Sequence, residues 1–169
     1  MSFDNYIFDD SNESEQLNTL ILLDNEFNKH PELQKPEFHI LGGTALLFHG
    51  ISSVVTIDID TANSITNEVK RIVEPFISDN ASEVATLAKN YKNRLVPYRE
   101  DIFKNINVCI LSIEDLIITK LGAGRHKDME DLTKTDILKR CDYSKLFAII
   151  NSEFETSKAS ELLIKLSSI

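Results

Sequence analysis

The sequence is short of cations, of cysteine and of long apolar runs, and each shortage removes a class of function. Its 18 Lys and Arg face 27 Asp and Glu, for a net charge of −9. An acidic chain is a poor general binder of nucleic acid, because phosphate neutralisation needs clustered cations. The imbalance is uneven. Residues 1–32 hold a single Lys among eight Asp and Glu, whereas residues 86–99 hold Lys89, Lys92, Arg94 and Arg99 with no acid, which leaves room for a local basic patch. Only two cysteines occur, Cys109 and Cys141, and no signal-peptide pattern precedes them. The start Met1-Ser2-Phe3-Asp4 is acidic, with no apolar run behind it. These features predict a cytoplasmic protein with two reduced thiols, buried rather than reactive. No apolar run approaches the roughly 20 residues that a membrane span needs. Internal repeats and low-complexity linkers are absent too, so 169 residues with 42% hydrophobic content read as one domain, 1–169.

What is present is organised around Leu41-Gly42-Gly43-Thr44 and Val54-Val55-Thr56-Ile57-Asp58-Ile59-Asp60. The second run is β-branched and reads as a strand over 54–60. Alternation places Thr56, Asp58 and Asp60 on one face and Val55, Ile57 and Ile59 on the other. Two carboxylates side by side repel, and a cation between them relieves the repulsion; hard divalent ions take oxygen ligands of this kind and share them with substrate phosphates. The glycines complement this. Without Cβ atoms the backbone comes close to a ligand, and the following helix offers free N–H groups to phosphate. A bare strand–helix turn is the plainer reading of Gly42-Gly43.

The remaining pattern predicts a helix over 14–29, a strand over 38–41, and a helix over 44–50 closed by Gly50. Helices are expected at 66–78, weakened by Pro75, and at 81–90. An edge strand is expected at 94–98, since Pro97 cannot donate to a central ladder, and a strand at 106–111. Ser112-Ile113-Glu114-Asp115 is a capping box for a helix carrying Leu116, Ile117, Lys120 and Leu121, and 127–140, 144–154 and 158–168 are helical by pattern. This order suits an α+β fold: a small mixed β-sheet with helices packed on it and further helices at the C-terminal end.

Gly-Gly followed by Asp-x-Asp resembles the signature of the nucleotidyltransferase superfamily, the polymerase-β-like fold. The later text Glu114-Asp115-Leu116 through Lys120-Leu121, then Arg125-His126-Lys127-Asp128 through Asp131-Leu132, is similar to the minimal AbiEii-type members, many of them toxins of toxin–antitoxin pairs. The resemblance covers about 38–132, a core to which 133–169 adds helices. It implies that Gly42, Gly43 and Thr44 hold a triphosphate, that Asp58 and Asp60 hold Mg²⁺ or Mn²⁺, that Lys120 reaches a phosphate and that Asp128 is a further active-site carboxylate. The implied activity moves an NMP from an NTP substrate to an RNA (tRNA) or protein acceptor, with a cognate antitoxin as partner. Such transfer rests mainly on positioning and electrostatics.

Two departures from the family pattern leave a second reading open. Val54 stands where members often carry Arg, and neither later strand has the third carboxylate of the wider superfamily; Glu100 and Asp101 fall just outside. A catalytically degenerate nucleotide-binding or regulatory, partner-binding module is the alternative. Bland readings stand beside the other residues: Lys120 as a snorkelling side chain, Asp128 and Asp131 as helix first-turn acids, and His39 and His49 as satisfied core residues. Loop charge at Arg125, His126 and Lys127 could touch phosphate or merely be solvated. Lys89, Tyr91, Lys92, Arg94, Tyr98 and Arg99 interleave bases and aromatics as single-strand RNA binders do, with a solvated face as the plainer reading.

Overall fold

The computed structural model describes residues 11–51, 54, 56–78 and 81–169. The loose acidic start expected at 1–10 lies outside them, as does Val55. Ser11 opens the first helix, α1 (Asn12–Asn28), by accepting the Ser14 N–H at 3.1 Å. Its apolar residues Leu17, Leu20, Ile21, Leu23 and Phe27 are all buried.

β1 (Glu37–Leu41) runs directly into α2 (Gly42–Phe48). β2 (Asp60–Thr61), β3 (Val96–Pro97) and β4 (Asn107–Ile110) complete a sheet of order β2-β1-β4-β3. β1 and β4 are parallel, and the two outer strands are antiparallel to their neighbours. β3 lies at an edge, where its proline costs no ladder bond. The fold is mixed α+β. No helix among the described residues is long and apolar enough to cross a membrane.

α5 (Ile113–Ala123) is the hub, packing against α2, α6 (His126–Lys134), α7 (Ile137–Arg140), α8 (Tyr143–Glu153) and α9 (Thr156–Ser167). Leu116, Ile117, Ile118 and Leu121 are fully buried, as befits a helix enclosed on all sides. Half of the expected capping box forms: Ser112 Oγ accepts the Asp115 N–H at 3.1 Å. The Asp115 carboxylate turns instead to the Ser112 hydroxyl at 2.7 Å and to Arg94.

Several expected elements are corrected. The strand over 54–60 shrinks to Asp60–Thr61, and Asp58 lies in irregular backbone. The reason is local competition for hydrogen bonds. Thr56 gives its N–H to Asn12 Oδ1 at 2.9 Å, and its carbonyl accepts from Asn12 Nδ2 at 3.1 Å and Gln16 Nε2 at 3.2 Å. Side chains of α1 thus satisfy the backbone groups that a partner strand would otherwise take. The helix over 66–78 is only α3 (Asn67–Val73), with Pro75 in the turn that follows. The helix over 81–90 is one turn, α4 (Ala81–Val84), and 127–140 divides into α6 and α7.

One buried acid that the pattern did not single out ties α1 to the sheet. Asp24 Oδ1 accepts the backbone N–H groups of Lys104, Asn105 and Ile106 at 3.1, 2.8 and 3.0 Å, fixing the turn that enters β4.

Candidate active site

The β1–α2 turn and β2 build one side of a cleft of about 480 Å³; α4 and the corner between α5 and α6 build the other. The antiparallel register sets Asp60 opposite Leu41, so its carboxylate stands beside Gly42. Gly42 has φ +69°, a conformation that a side chain would strain, and a Cβ built there would lie 3.7 Å from Asp60 Oδ2. Gly43 is needed for a different reason: a Cβ there would come within 2.8 Å of the Thr56 Cβ. The two glycines therefore let the turn close against both the carboxylate strand and the segment leading to it.

Asp58 is exposed and Asp60 half-buried. Burial raises the Asp60 carboxyl above the ordinary aspartate value, and the charge of Asp58 adds to this; Arg125, a Ser78 hydrogen bond and Lys120 pull in the other direction. The two aspartates are thus electrostatically coupled, although they do not share a strand face. Thr44 is fully buried, and its hydroxyl donates to the Asp58 carbonyl at 3.1 Å. It holds the carboxylate segment in place.

The opposite wall carries the cations. Lys120, 5% exposed, places Nζ 2.6 Å from Asp131 Oδ2 and 3.3 Å from Asp128 Oδ1. Asp128 also accepts the Arg125 guanidinium, from Nε at 2.8 Å and from Nη2 at 3.3 Å, and the Arg125 backbone N–H at 3.2 Å. Burial alone would raise the Asp128 carboxyl; the Arg125 hydrogen bond and the Lys120 charge outweigh it and hold the group below the ordinary value. The Arg125 side chain is 76% exposed yet lines the cleft, so one cation is sealed in the wall and the other stands at its rim.

Gly42, Asp60, Lys120 and Asp128 therefore meet at one cleft, with Asp58 coupled through its charge and Gly43 and Thr44 acting beneath. Arg125, Ser78, Asn12 and Gln16 complete the constellation. Arg125 had a visible signal in its spacing of three from Asp128; Asn12 and Gln16 had none, since they meet Thr56 across 44 and 40 residues. Among the described residues no cluster of three or more His, Cys, Asp and Glu could hold a metal ion.

The remaining candidates lie outside the lining of the cleft. His39 is buried between Tyr91 Oη at 3.0 Å and Glu37 Oε1 at 2.6 Å. His49 Nε2 lies 2.7 Å from the Leu111 carbonyl, and burial holds its imidazole below the ordinary value. His126 opens α6, 3.5 Å from Glu130. In the basic-aromatic stretch Tyr91 is buried, and Tyr98 stacks on Phe48 with ring centroids 4.0 Å apart. Arg94 is held by Asp115 and Glu153. Both cysteines are free and half-buried; burial raises the Cys109 thiol and pushes Cys141 up to about 11.

A family model described as "Nucleotidyltransferase of unknown function (DUF6036)" matches residues 18–167. Neither a curated protein nor a solved structure gives a match.

Proposed function

The chain belongs to this family of nucleotidyltransferases, and from that premise we propose that the cleft transfers an NMP from a bound NTP to a hydroxyl acceptor on RNA or protein. The observation that carries the reading is the convergence of Asp60, Gly42, Lys120 and Arg125 on one cleft.

The donor set suits the metal that the reaction class uses. Asp58 and Asp60 offer only oxygen, and Mg²⁺ or Mn²⁺ commonly takes one or two protein carboxylates and completes its shell with phosphate and water. Held there, the ion would neutralise charge on the phosphate undergoing transfer. The chain's own residues do the rest. Gly42 lets the triphosphate approach the backbone, and Lys120 and Arg125 place N–H donors on the wall facing the carboxylates, their charge offset by Asp128 and Asp131. Asp128, engaged by both cations, holds them in position. The acceptor oxygen attacks the α-phosphorus, pyrophosphate departs, and the hydroxyl proton passes to solvent.

The order of Gly-Gly, Asp-x-Asp and the Lys120–Asp128 pair supports an AbiEii-type toxin of a toxin–antitoxin pair, acting in the cytoplasm with a cognate antitoxin. A second reading, a degenerate nucleotide-binding or regulatory module, is favoured by one observation: Asp58 and Asp60 have no third carboxylate beside them among the described residues. Label transfer from each α-labelled NTP to cellular RNA and protein separates the two. Label that needs Mg²⁺ and disappears in Asp58→Asn/Asp60→Asn supports the enzyme. NTP binding without transfer, unaffected by that double change, supports the module.

A further inference from the structure

The proposed function uses the polar residues of the cleft and leaves an aliphatic group unassigned: Leu41, Val84, Ala85, Thr119 and Ala123 also line it. Thr119 counts with them, because its hydroxyl donates to the Leu116 carbonyl at 2.8 Å and is satisfied within α5. Thr119 and Ala123 stand four residues apart, on one face of that helix. Val84 ends α4, and Ala85 follows it. At about 480 Å³ the cleft is of the size that encloses a whole small ligand.

A close contact draws the two aliphatic pairs together. Thr86, the residue after Ala85, meets α5 at Gly122, the residue before Ala123. A Cβ built on Gly122 would lie 2.1 Å from Thr86 Oγ1 and 2.3 Å from Thr86 Cβ. Glycine weakens a helix interior, and this approach is what requires it in α5. The exit of α4 is thereby pinned to the end of α5, with Ala85 and Ala123 beside the pin. Val84 is 83% exposed and Ala123 is exposed as well, so the slot they border is not filled by another described side chain. Apolar surface left open to water inside a cleft is stabilised by a ligand that covers it.

Resting on the proposed transferase reading, we infer that this slot holds the nucleobase of the NTP. Phosphate and base belong to one molecule, separated by a single ribose, and the two groups of residues belong to one cleft. Lys120 follows Thr119 directly, and Arg125 lies two residues after Ala123, so α5 and its exit carry the phosphate donors and the aliphatic wall side by side. Small side chains at 85 and 123 leave room for a flat ring. A wall of this kind grips the ring by covering its faces rather than by hydrogen bonds to its edges.

The test measures equilibrium binding to the full chain, with Mg²⁺, of each NTP and of ribose 5-triphosphate, which keeps the sugar and phosphates and lacks the base. At least one NTP is expected to bind about tenfold tighter than ribose 5-triphosphate (roughly 1.4 kcal/mol). Ala123→Leu, at an exposed position, should fill the slot and bring that NTP down to the affinity of ribose 5-triphosphate. Binding of ribose 5-triphosphate itself should not change, which also reports an intact fold. Val84→Ser should cut the NTP advantage about threefold. Arg125→Ala, by contrast, should weaken both ligands alike. Equal affinity of every NTP and ribose 5-triphosphate for the unaltered chain, or an NTP advantage that survives both Ala123→Leu and Val84→Ser, overturns the inference and leaves the transferase reading standing. Absence of binding by every NTP and by ribose 5-triphosphate overturns both.

Discussion

Arg94 and Lys120 are both cations held between two carboxylates, yet they serve opposite ends. Arg94 reaches Asp115 with Nε at 2.8 Å and Nη2 at 2.9 Å, and Glu153 with Nη1 at 2.6 Å, so its planar fork is filled on both sides. Glu153 in turn accepts the Asn90 N–H at 2.8 Å. The hydrogen bonds that Arg94 donates to Asp115 and Glu153 raise its pKa further above its already high value. This node joins the turn before β3 to α5 and α8 and does not line the cleft of Asp60 and Lys120. Lys120 is the more deeply buried, its side chain 6% exposed against 14% for Arg94, but its partner Asp128 is shared with a guanidinium that stands in solvent. Access separates the two. A guanidinium gripped by carboxylates on both sides is a clamp, whereas a point charge in a cleft wall, backed by a carboxylate and an exposed arginine, can lend its field to a ligand.

The largest effect should come from breaking the clamp. Arg94→Ala leaves Asp115 and Glu153 as uncompensated buried charge and should cost about 3–5 kcal/mol of unfolding free energy, read from urea titration at neutral pH. A loss below 1 kcal/mol would show that the clamp is not structural. The second change separates the cleft cations. Lys120→Met should lower label transfer on the order of 100-fold, whereas Arg125→Ala, at an exposed position, should change unfolding free energy by less than about 1 kcal/mol while raising the NTP KM. Equal stability losses in the two variants would erase the distinction between wall and rim.

The smallest effect concerns pH, where Asp60 is opposite in sign to Asp128 and Glu153. Asp128 and Glu153 lie below their ordinary values in the folded protein, so their stabilisation is present above the unfolded-state pKa of about 4 and is lost as pH falls through their folded values. Asp60 lies above its ordinary value, so its ionisation penalises the folded state at neutral pH. Asp60→Asn measured in chelator should therefore raise the unfolding midpoint slightly at pH 7, and the gain should vanish as pH falls through the carboxylate range. A lowered midpoint at pH 7 would contradict the electrostatic coupling of Asp58 and Asp60.

Much of the fold was legible because local chemistry agreed with tertiary context. The Ser112 cap, the Leu116–Leu121 apolar run, the edge position of Pro97 and the β1–Gly42 junction each rest on residues within a few positions of one another. The carboxylate strand was misread for the converse reason. Val54 to Asp60 has strong strand propensity, but propensity reports fitness for a pleated surface and does not supply a partner. Asn12 and Gln16, 44 and 40 residues upstream, took the hydrogen bonds of Thr56, leaving only Asp60–Thr61 to pair with β1. The helix at 81–90 likewise lost most of its length, with the segment after Val84 serving as a cleft wall.

By itself, then, the sequence determined which residue types the protein could use for chemistry: a flexible Gly-Gly turn, a pair of close aspartates, and a lysine on an otherwise apolar helix followed at a distance of eight by an aspartate. Those choices depend on side-chain chemistry and short spacings, which a chain carries in any conformation. Only the tertiary structure decided their assignments: that Thr44 supports the Asp58 backbone, that Asp128 is saturated by Lys120 and Arg125, and that Tyr91 and Tyr98 turn inward. Each of these depends on a partner brought from elsewhere in the chain, and burial and charge pairing set a group's role only once that partner has arrived.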